Sequence, residues 1–487
     1  MAVDTMSFSP RVQLHLLATT LLISTSLTGC GAAQSPSEAR QSTAEFSPPS
    51  KAAATTEFRA SGEDWLQFLG PNGDGTSNET GLSRSNWKPR PPINWVVELG
   101  TSYGAPSIAG NQVLQFDRAG SDEVLTSFDS VTSNVIWRAS QTVAYSDRYG
   151  YNNGPRCSPV VSDGLVFTYG VSGQLTCTDL SDGEIKWTKN LNDEFGVIQN
   201  FFGVASNPVV YEDLLLVMVG GSPPESRQYS TGNLDQVKPN GSGVVAFDKR
   251  TGKERYRLGN DLASYASLTV RDVAGKSTGL AFLRSGLIGF DPRNGAESFQ
   301  FPWRAKAFES VNAALPVVVE NQILLSECYE IGSVLINASE QAPEVIWQDG
   351  GRLRDLSFRA HWSTPIVIDG YIYGCSGRNP PDSDFRCVRL RDGKVMWTNR
   401  NRQRGRSSIV QVDGHLIVLG ESGLLELVEP NPEEFRLLVQ ADLSEINNAQ
   451  TGKPLLRYPC WAAPVVAHGN LYLRGPEHLI SLKLLEQ

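Results

Sequence analysis

The residues best suited to chemistry lie in eight short segments, each just before a motif in which a small or apolar residue is usually followed by proline. These segments contain Tyr103, Asn153, Arg156, Phe202, Glu309, Asn312, Arg359, His361, Trp362, Arg406 and Trp461. His361 and Glu309 are the candidates for a catalytic base, because imidazole and carboxylate groups take up protons in enzyme sites. The other nine residues are candidates for a ligand-binding funnel, since aromatic rings stack on planar ligands and arginines bind anions.

Repeated short strands must position these residues. The fullest copy runs from Ser158 to Trp187 and contains four apolar strands separated by turns rich in Gly and Asp. The eight copies begin at Ala105, Ser158, Asn207, Ala266, Leu315, Thr364, Ser408 and Ala463. A unit of about 50 residues with four short strands is typical of a β-propeller blade.

The repeats predict an all-β fold, an eight-bladed β-propeller of four-stranded antiparallel blades. The last copy has three strands, whereas residues 93–98 form a strand with no blade of their own. We therefore expect the N-terminal strand to complete the last blade and close the ring. Seven blades is the alternative, because the fourth and seventh copies lack the proline. In such a ring the eight segments would converge at one end of the central channel.

The blades also show a pairing pattern in which a small or apolar residue precedes a large one by ten positions. Cys177 with Trp187 and Leu427 with Leu437 are examples. We expect a tight turn between the two members, with the large side chain on the outer strand of the blade, packed over the neighbouring blade.

Four regions follow along the chain: a lipoprotein signal peptide at 1–30, a flexible tether at 31–62, a cap at 63–92 and the propeller at 93–487. A short apolar run ends at Leu27-Thr28-Gly29-Cys30, which resembles the bacterial lipoprotein box, in which the cysteine is lipidated. This predicts export and a lipid anchor at Cys30, in the outer membrane and facing the periplasm. An ordinary signal peptide that contains a cysteine is the alternative.

Charge and cysteine content limit the partners. The net charge of −9 and the absence of basic clusters argue against nucleic acid. No metal site is expected, because the five histidines lack metal-ligand spacing. A cross-strand disulfide between Cys375 and Cys387 and two buried thiols are both compatible with the sequence. We expect a monomer.

The repeats resemble the pyrroloquinoline-quinone (PQQ) type of propeller repeat, whose core reads roughly A-x-D-x-x-T-G-x-x-x-W. Residues 245–256 are the closest copy, with Tyr256 in place of the tryptophan, and the resemblance covers 93–485. The family contains quinoprotein alcohol and glucose dehydrogenases and also cofactor-free, BamB-like lipoproteins of outer-membrane assembly. Residues 64–75 resemble a stretch that precedes such propellers in secreted proteins of planctomycete type, where it would cap the ring.

The resemblance implies two functions. The first is a non-catalytic cell-envelope scaffold without cofactor, which binds an envelope protein or a small ligand. The alternative is a PQQ- and calcium-dependent alcohol or sugar dehydrogenase that uses the funnel. Calcium needs several oxygen ligands, usually with more than one carboxylate, whereas Glu309 is the one acid in the eight segments. The sequence therefore favours the scaffold and leaves enzymatic activity open.

Overall fold

The computed structural model describes residues 44–46, 62–87, 90–197, 201–229, 231–338 and 342–486. These residues form short strands, one α-helix of five residues, α1 (Leu191–Phe195), and 3-10 turns at Ser85–Trp87, Pro224–Gln228, Thr231–Gln236 and Leu353–Asp355. Within the described ranges, no helix combines the length and the apolar character needed to cross a membrane.

Eight four-stranded antiparallel sheets follow one another, preceded by β1 (Ala44–Phe46), β2 (Thr76–Ser77) and β3 (Ile93–Glu98). The strands of each blade are given from the innermost outward. The first blade contains β4 (Ser107–Ala109), β5 (Gln112–Ala119), β6 (Asp122–Asp129) and β7 (Val135–Thr142), and the second contains β8 (Val160–Ser162), β9 (Leu165–Tyr169), β10 (Gln174–Asp179) and β11 (Ile185–Asn190). The third blade contains β12 (Val209–Tyr211), β13 (Leu214–Met218), β14 (Val244–Asp248) and β15 (Glu254–Leu258), and the fourth contains β16 (Thr269–Val273), β17 (Lys276–Phe282), β18 (Gly286–Phe290) and β19 (Glu297–Pro302).

The fifth blade contains β20 (Val317–Val319), β21 (Gln322–Glu327), β22 (Gly332–Asn337) and β23 (Glu344–Gln348). The sixth contains β24 (Ile366–Ile368), β25 (Tyr371–Ser376), β26 (Asp384–Arg389) and β27 (Val395–Asn399). The seventh contains β28 (Ser407–Val412), β29 (His415–Gly420), β30 (Leu424–Glu429) and β31 (Arg436–Asp442). A short strand, β32 (Ile446–Asn448), pairs with β1. The eighth sheet contains β33 (Val465–Ala467), β34 (Asn470–Arg474), β35 (His478–Lys483) and, outermost, β3. The predicted all-β, eight-bladed propeller is therefore confirmed.

Both faces of a blade are buried, because each sheet packs between two others. All five residues of β13 are buried, and their side chains alternate between two apolar clusters shared with different neighbouring blades. The innermost strands contact one another in succession from β4 to β33 and surround the channel. Ile108 and Val113 of the first blade belong to one apolar cluster with residues of the eighth, such as Leu471.

The outer strands carry a repeated contact between a large ring and the turn of the next blade. Cys177 lies opposite Trp187, and the Trp187 ring packs over the next blade as predicted: its Nε1–H donates to the Lys249 carbonyl at 3.2 Å. A Cβ placed on Gly252 of the same turn would lie 3.0 Å from the indole, so the close approach needs glycine. The same ring-to-carbonyl bond joins Trp137 to Leu180, Tyr256 to Pro292 and Trp347 to Leu390.

The prediction that the large residue packs over the neighbouring blade is wrong for Leu437. Leu427 lies opposite Val439, because the turn of the seventh blade is two residues longer than that of the second blade, although both strand pairs have a register shift at this point. Leu437 is consequently 41% exposed.

The cap segment, which we define as residues 62–87, contacts the ends of the inner-strand hairpins. Trp65 forms a β-bridge with Ile108 in the innermost strand of the first blade. β2 runs parallel to β28, and the Asp413 carboxylate accepts bonds from the backbone of Gly81 and Leu82. Since these hairpins lie opposite the eight converging segments, the cap segment covers the far end of the channel.

The six cysteines after Cys30 are free and buried. Cys375 lies opposite Phe385, and Cys387 opposite Tyr373, so the Cys375–Cys387 disulfide is not formed. Cys30, the signal peptide and most of the tether lie outside the described residues.

Replacing Trp187 by Ala should lower the free energy of unfolding by roughly 3 kcal/mol, since a packed ring is lost between two blades. Trp187→Phe keeps a ring but loses the bond to Lys249, so it should cost about 1 kcal/mol. Urea unfolding followed by circular dichroism measures both changes. An unchanged midpoint for Trp187→Ala would show that the ring does not stabilise the neighbouring blade.

The ring-to-glycine contact predicts a difference between two glycines of the second blade. Gly183 and Gly164 have φ values of 80° and 74°, so alanine at either should cost about 1 kcal/mol of backbone strain. A Cβ at Gly183 would also lie 2.6 Å from the Trp137 ring, whereas a Cβ at Gly164 meets nothing within 4 Å. Thermal unfolding should therefore show a larger loss for Gly183→Ala; equal losses would contradict the contact.

Candidate ligand-binding cavity

The segments before the innermost strands surround one end of the channel, which we call the mouth. Behind the mouth lies a cavity of about 320 Å³, and Phe68 and Leu69 of the cap segment form its floor. Its wall is largely aromatic, and the rings are Tyr103, Tyr151, Phe202, Tyr265, Tyr329, Trp362, Tyr458 and Trp461. Most of these rings are neighbours, as Trp461 is to Tyr103 at 4.9 Å and to Trp362 at 5.2 Å between centroids.

Six of the nine predicted funnel residues line this cavity: Tyr103, Arg156, Phe202, Trp362, Arg406 and Trp461. His361, a candidate base, also lines it. The other four sequence candidates, Asn153, Asn312, Arg359 and Glu309, are not among the lining residues.

Three of these four candidates hold the loops together. Asn153 accepts a bond from the backbone of Asp147 at 2.7 Å. The buried Asn312 amide donates to the Leu283 carbonyl at 2.8 Å. The Arg359 guanidinium, which is 5% exposed, pairs with Asp382 at 2.7 Å.

Two of the lining arginines are held by buried carboxylates. The Arg406 guanidinium lies 4.6 Å from the Trp362 ring centre and 5.0 Å from that of Trp461, and it pairs with Glu421 at 2.8 Å. Its remaining N–H groups reach Arg378, Asn379 and Tyr458, so Arg406 fixes both indoles in place. Arg156 pairs in the same way with Asp147 at 2.8 Å. The mouth therefore contains both arginine–acid pairs and a cavity.

His361 is a poor proton acceptor in this position. Its ring lies 5.0 Å from Trp362 and 5.9 Å from Tyr329. Burial, followed by the positive charges of Arg406 and Arg378, lowers the pKa of His361 to about 3. The imidazole is therefore neutral at physiological pH, and its buried Nδ1 has no hydrogen-bond partner among the described residues.

The residues present do not fit a calcium-bound quinone. No Asp or Glu is among the residues that line the cavity. The carboxylates behind the wall, Asp147 and Glu421, are already ion-paired with arginines, and Glu421 also accepts the Trp461 Nε1–H at 3.0 Å. No group of three or more potential metal-ligating side chains occurs within the described part of the chain. Calcium would lack its usual carboxylate ligands here.

Sequence reasoning missed the lining residues that come from other connections. Tyr329 follows β21, while Arg378 and Asn379 lie between β25 and β26, so these hairpins reach the same mouth. The connection between β25 and β26 spans seven residues, Gly377 to Ser383, and its length was the available signal. Phe68 and Leu69 lay in the predicted cap, but nothing in the sequence placed them at the channel.

Fold and repeats together define a β-propeller of the PQQ-repeat class. Residues 121–399, more than half of the chain, match the family described as outer membrane protein assembly factor BamB. The chain belongs to this family.

The first two of three solved structures support the fold. BamB from Moraxella catarrhalis aligns with a TM-score of 0.53 and 11% identity, covering 81% of this chain and 98% of that one. The computationally designed Ika8 protein aligns with a TM-score of 0.50 and 8% identity, covering 80% and 99%. Quinohemoprotein alcohol dehydrogenase from Comamonas testosteroni aligns with a TM-score of 0.48 and 13% identity, covering 86% and 80%. No curated protein matches the sequence.

The low pKa of His361 predicts a pH dependence of stability. An unfolded imidazole has a pKa of about 6.5, so the unfolded chain binds the proton first as the pH falls. The contribution of His361 is therefore complete above pH about 6.5 and is lost as the pH falls towards its folded pKa of about 3. Over this pH range, the melting temperature of the His361→Gln variant should fall less steeply with decreasing pH than that of the parent protein.

The parent protein is the control for all other titrating groups, because the two chains differ at one residue. NMR of the His361 ring gives a direct second measurement, since its Cε1–H shift should stay constant down to a pH of about 4. A resonance of His361 that titrates near neutral pH would contradict this environment.

Proposed function

We propose that this chain is a non-catalytic scaffold of the cell envelope, which binds a partner protein or a small ligand at the mouth and cavity of its propeller. One observation carries the proposal: the cavity has aromatic rings and N–H donors, but its lining contains no carboxylate, and its histidine has a pKa of about 3. A site of this composition supports binding, since general acid–base catalysis works best with a pKa near the operating pH.

Exposed rings at the mouth support a protein partner. Tyr149, Tyr151 and Tyr458 are 51%, 56% and 50% exposed, and they lie against the lining rings Phe202 and Trp461. Tyrosine and tryptophan are enriched at protein interfaces and dominate their binding energy. The mouth therefore offers a continuous aromatic surface next to a cavity.

Family membership supports a place in the cell envelope, because the family is described as an outer membrane assembly factor. The apolar leader and Cys30 support export and a lipid anchor, for which we propose the outer membrane with the propeller facing the periplasm. Residues 31–62 would then tether the propeller to the bilayer. We propose a monomer that needs no cofactor and binds no nucleic acid.

The competing function, a PQQ- and calcium-dependent dehydrogenase, is tested by calorimetric titration of the purified protein with PQQ and Ca²⁺. Dye-linked oxidation of ethanol and glucose is measured in the same sample. We expect no dye reduction above a protein-free blank, because the cavity lacks both a proton acceptor and a carboxylate pair. A quinoprotein alcohol dehydrogenase assayed in parallel is the positive control. Calcium-dependent binding of PQQ with substrate-dependent dye reduction would overturn the non-catalytic function.

A further inference from the structure

The deep part of the cavity is apolar. Its floor is formed by Phe68 and Leu69, and Val311 and Ile409 also line it. The polar side chains of the inner wall are occupied: Asn207 bonds to Ser267 at 2.7 Å and to the backbone of Ser158 at 2.6 Å. A ligand that enters this part gains little from polar groups of its own and more from apolar surface.

Three buried polar atoms of lining residues have no hydrogen-bond partner within the described residues: Arg156 Nε, His361 Nδ1 and Trp362 Nε1. The indole and guanidinium N–H groups can only donate, so the groups that would satisfy Trp362 and Arg156 are acceptors, whereas the neutral His361 ring can donate or accept at Nδ1, depending on its tautomer. Buried polar groups are nearly always paired, so the Trp362 N–H marks a place where an acceptor of a ligand would bind.

One cation next to these atoms is weakly held. Arg378 lies over the Tyr329 ring at 4.5 Å, and its ion pair with Glu309 is 3.5 Å long, with both side chains more than 40% exposed. Exposed ion pairs of this kind contribute little. By contrast, the acids that hold Arg156 and Arg406 are buried, at 1% and 4% exposure. Arg378 is thus the lining arginine that can turn to a new anion.

We propose that the cavity binds a small amphipathic anion, whose apolar or aromatic body fills the channel above Phe68 and whose acidic group binds Arg378 at the mouth. The proposal rests on the binding function above and names its ligand class. A cavity of about 320 Å³ is at the small end of ligand sites, so the body has the size of a few rings. A cationic ligand is disfavoured, since the lining contains arginines and no acid.

Two fluorescent probes test this class, because they share one ring system and differ in charge. 1-Anilinonaphthalene-8-sulfonate carries a sulfonate, whereas N-phenyl-1-naphthylamine is neutral. The full chain with Cys30→Ser is used, so that the predicted lipid anchor is absent and no detergent competes. We expect one sulfonate site per chain, with an affinity about tenfold or more above that of the neutral probe.

Arg378→Gln should weaken binding of the sulfonate probe about tenfold and leave the neutral probe unchanged, while Arg378→Lys should retain most of the affinity. Arg293→Gln is the matched control. Arg293 is likewise partly exposed, at 57% against 43% for Arg378, lies over a tyrosine ring at 5.8 Å and sits 3.7 Å from a carboxylate, but it does not line the cavity. Melting temperatures and near-UV circular dichroism check that each variant is folded.

Equal affinity for the two probes, no change with Arg378→Gln, or an equal loss with Arg293→Gln would each overturn the proposal. Failure of either probe to bind at one site would overturn it as well. These outcomes are separate from those of the PQQ experiment, because dye reduction reports on catalysis and the probe pair reports on charge-selective binding.

Discussion

Each blade of this protein is covered on both faces, and the rest of the structure depends on that constraint. A strand such as β13 has no solvent-facing side, because alternate residues pack into the clusters of two different neighbours. Burial of apolar surface is the main favourable term in folding, so a blade without its neighbours would expose the surface that stabilises it. The Trp187 contact with Lys249 and Gly252 adds a directional link at the outer edge. The contacts between neighbouring blades therefore stabilise the fold.

Because the blades are stabilised by their interfaces, the connections at the mouth can carry side chains that folding does not require. Burying an ion pair such as Arg406–Glu421 gains little stability, since desolvation offsets the attraction. The pair instead fixes positions: the guanidinium contacts both the Trp362 and the Trp461 ring, and Glu421 accepts bonds from both the arginine and the Trp461 N–H. The two indoles keep their places whether or not a ligand is bound. Such preorganisation reduces the cost of binding.

The sequence predicted those features that depend on local spacing. Cys177 and Trp187 are ten positions apart across a tight turn, and the Trp187 ring packs over the next blade as predicted, whereas the longer turn before Leu437 leaves that side chain exposed. The segments before the inner strands do form the mouth, but spacing does not say which way a loop side chain points. Asn312 and Arg359 lie in the right segments and bond to the loops instead. Arg378 and Tyr329 reach the cavity from hairpin connections and Phe68 from the cap segment. Their course depends on the neighbouring blades, which the sequence of a single repeat does not show.

The cap segment encloses the channel and thereby affects the chemistry of the mouth. Phe68 and Leu69 of this segment close the far end of the channel. The backbone N–H groups of Gly81 and Leu82 donate to the Asp413 carboxylate and so attach the segment to the seventh blade. A channel open at both ends would admit water, which would solvate His361 and screen the arginines. With the floor in place, loss of solvation keeps the His361 imidazole neutral. Arg378 is 43% exposed at the mouth, so its charge stays accessible from solvent. The enclosure that weakens His361 as a base therefore favours binding over proton transfer here.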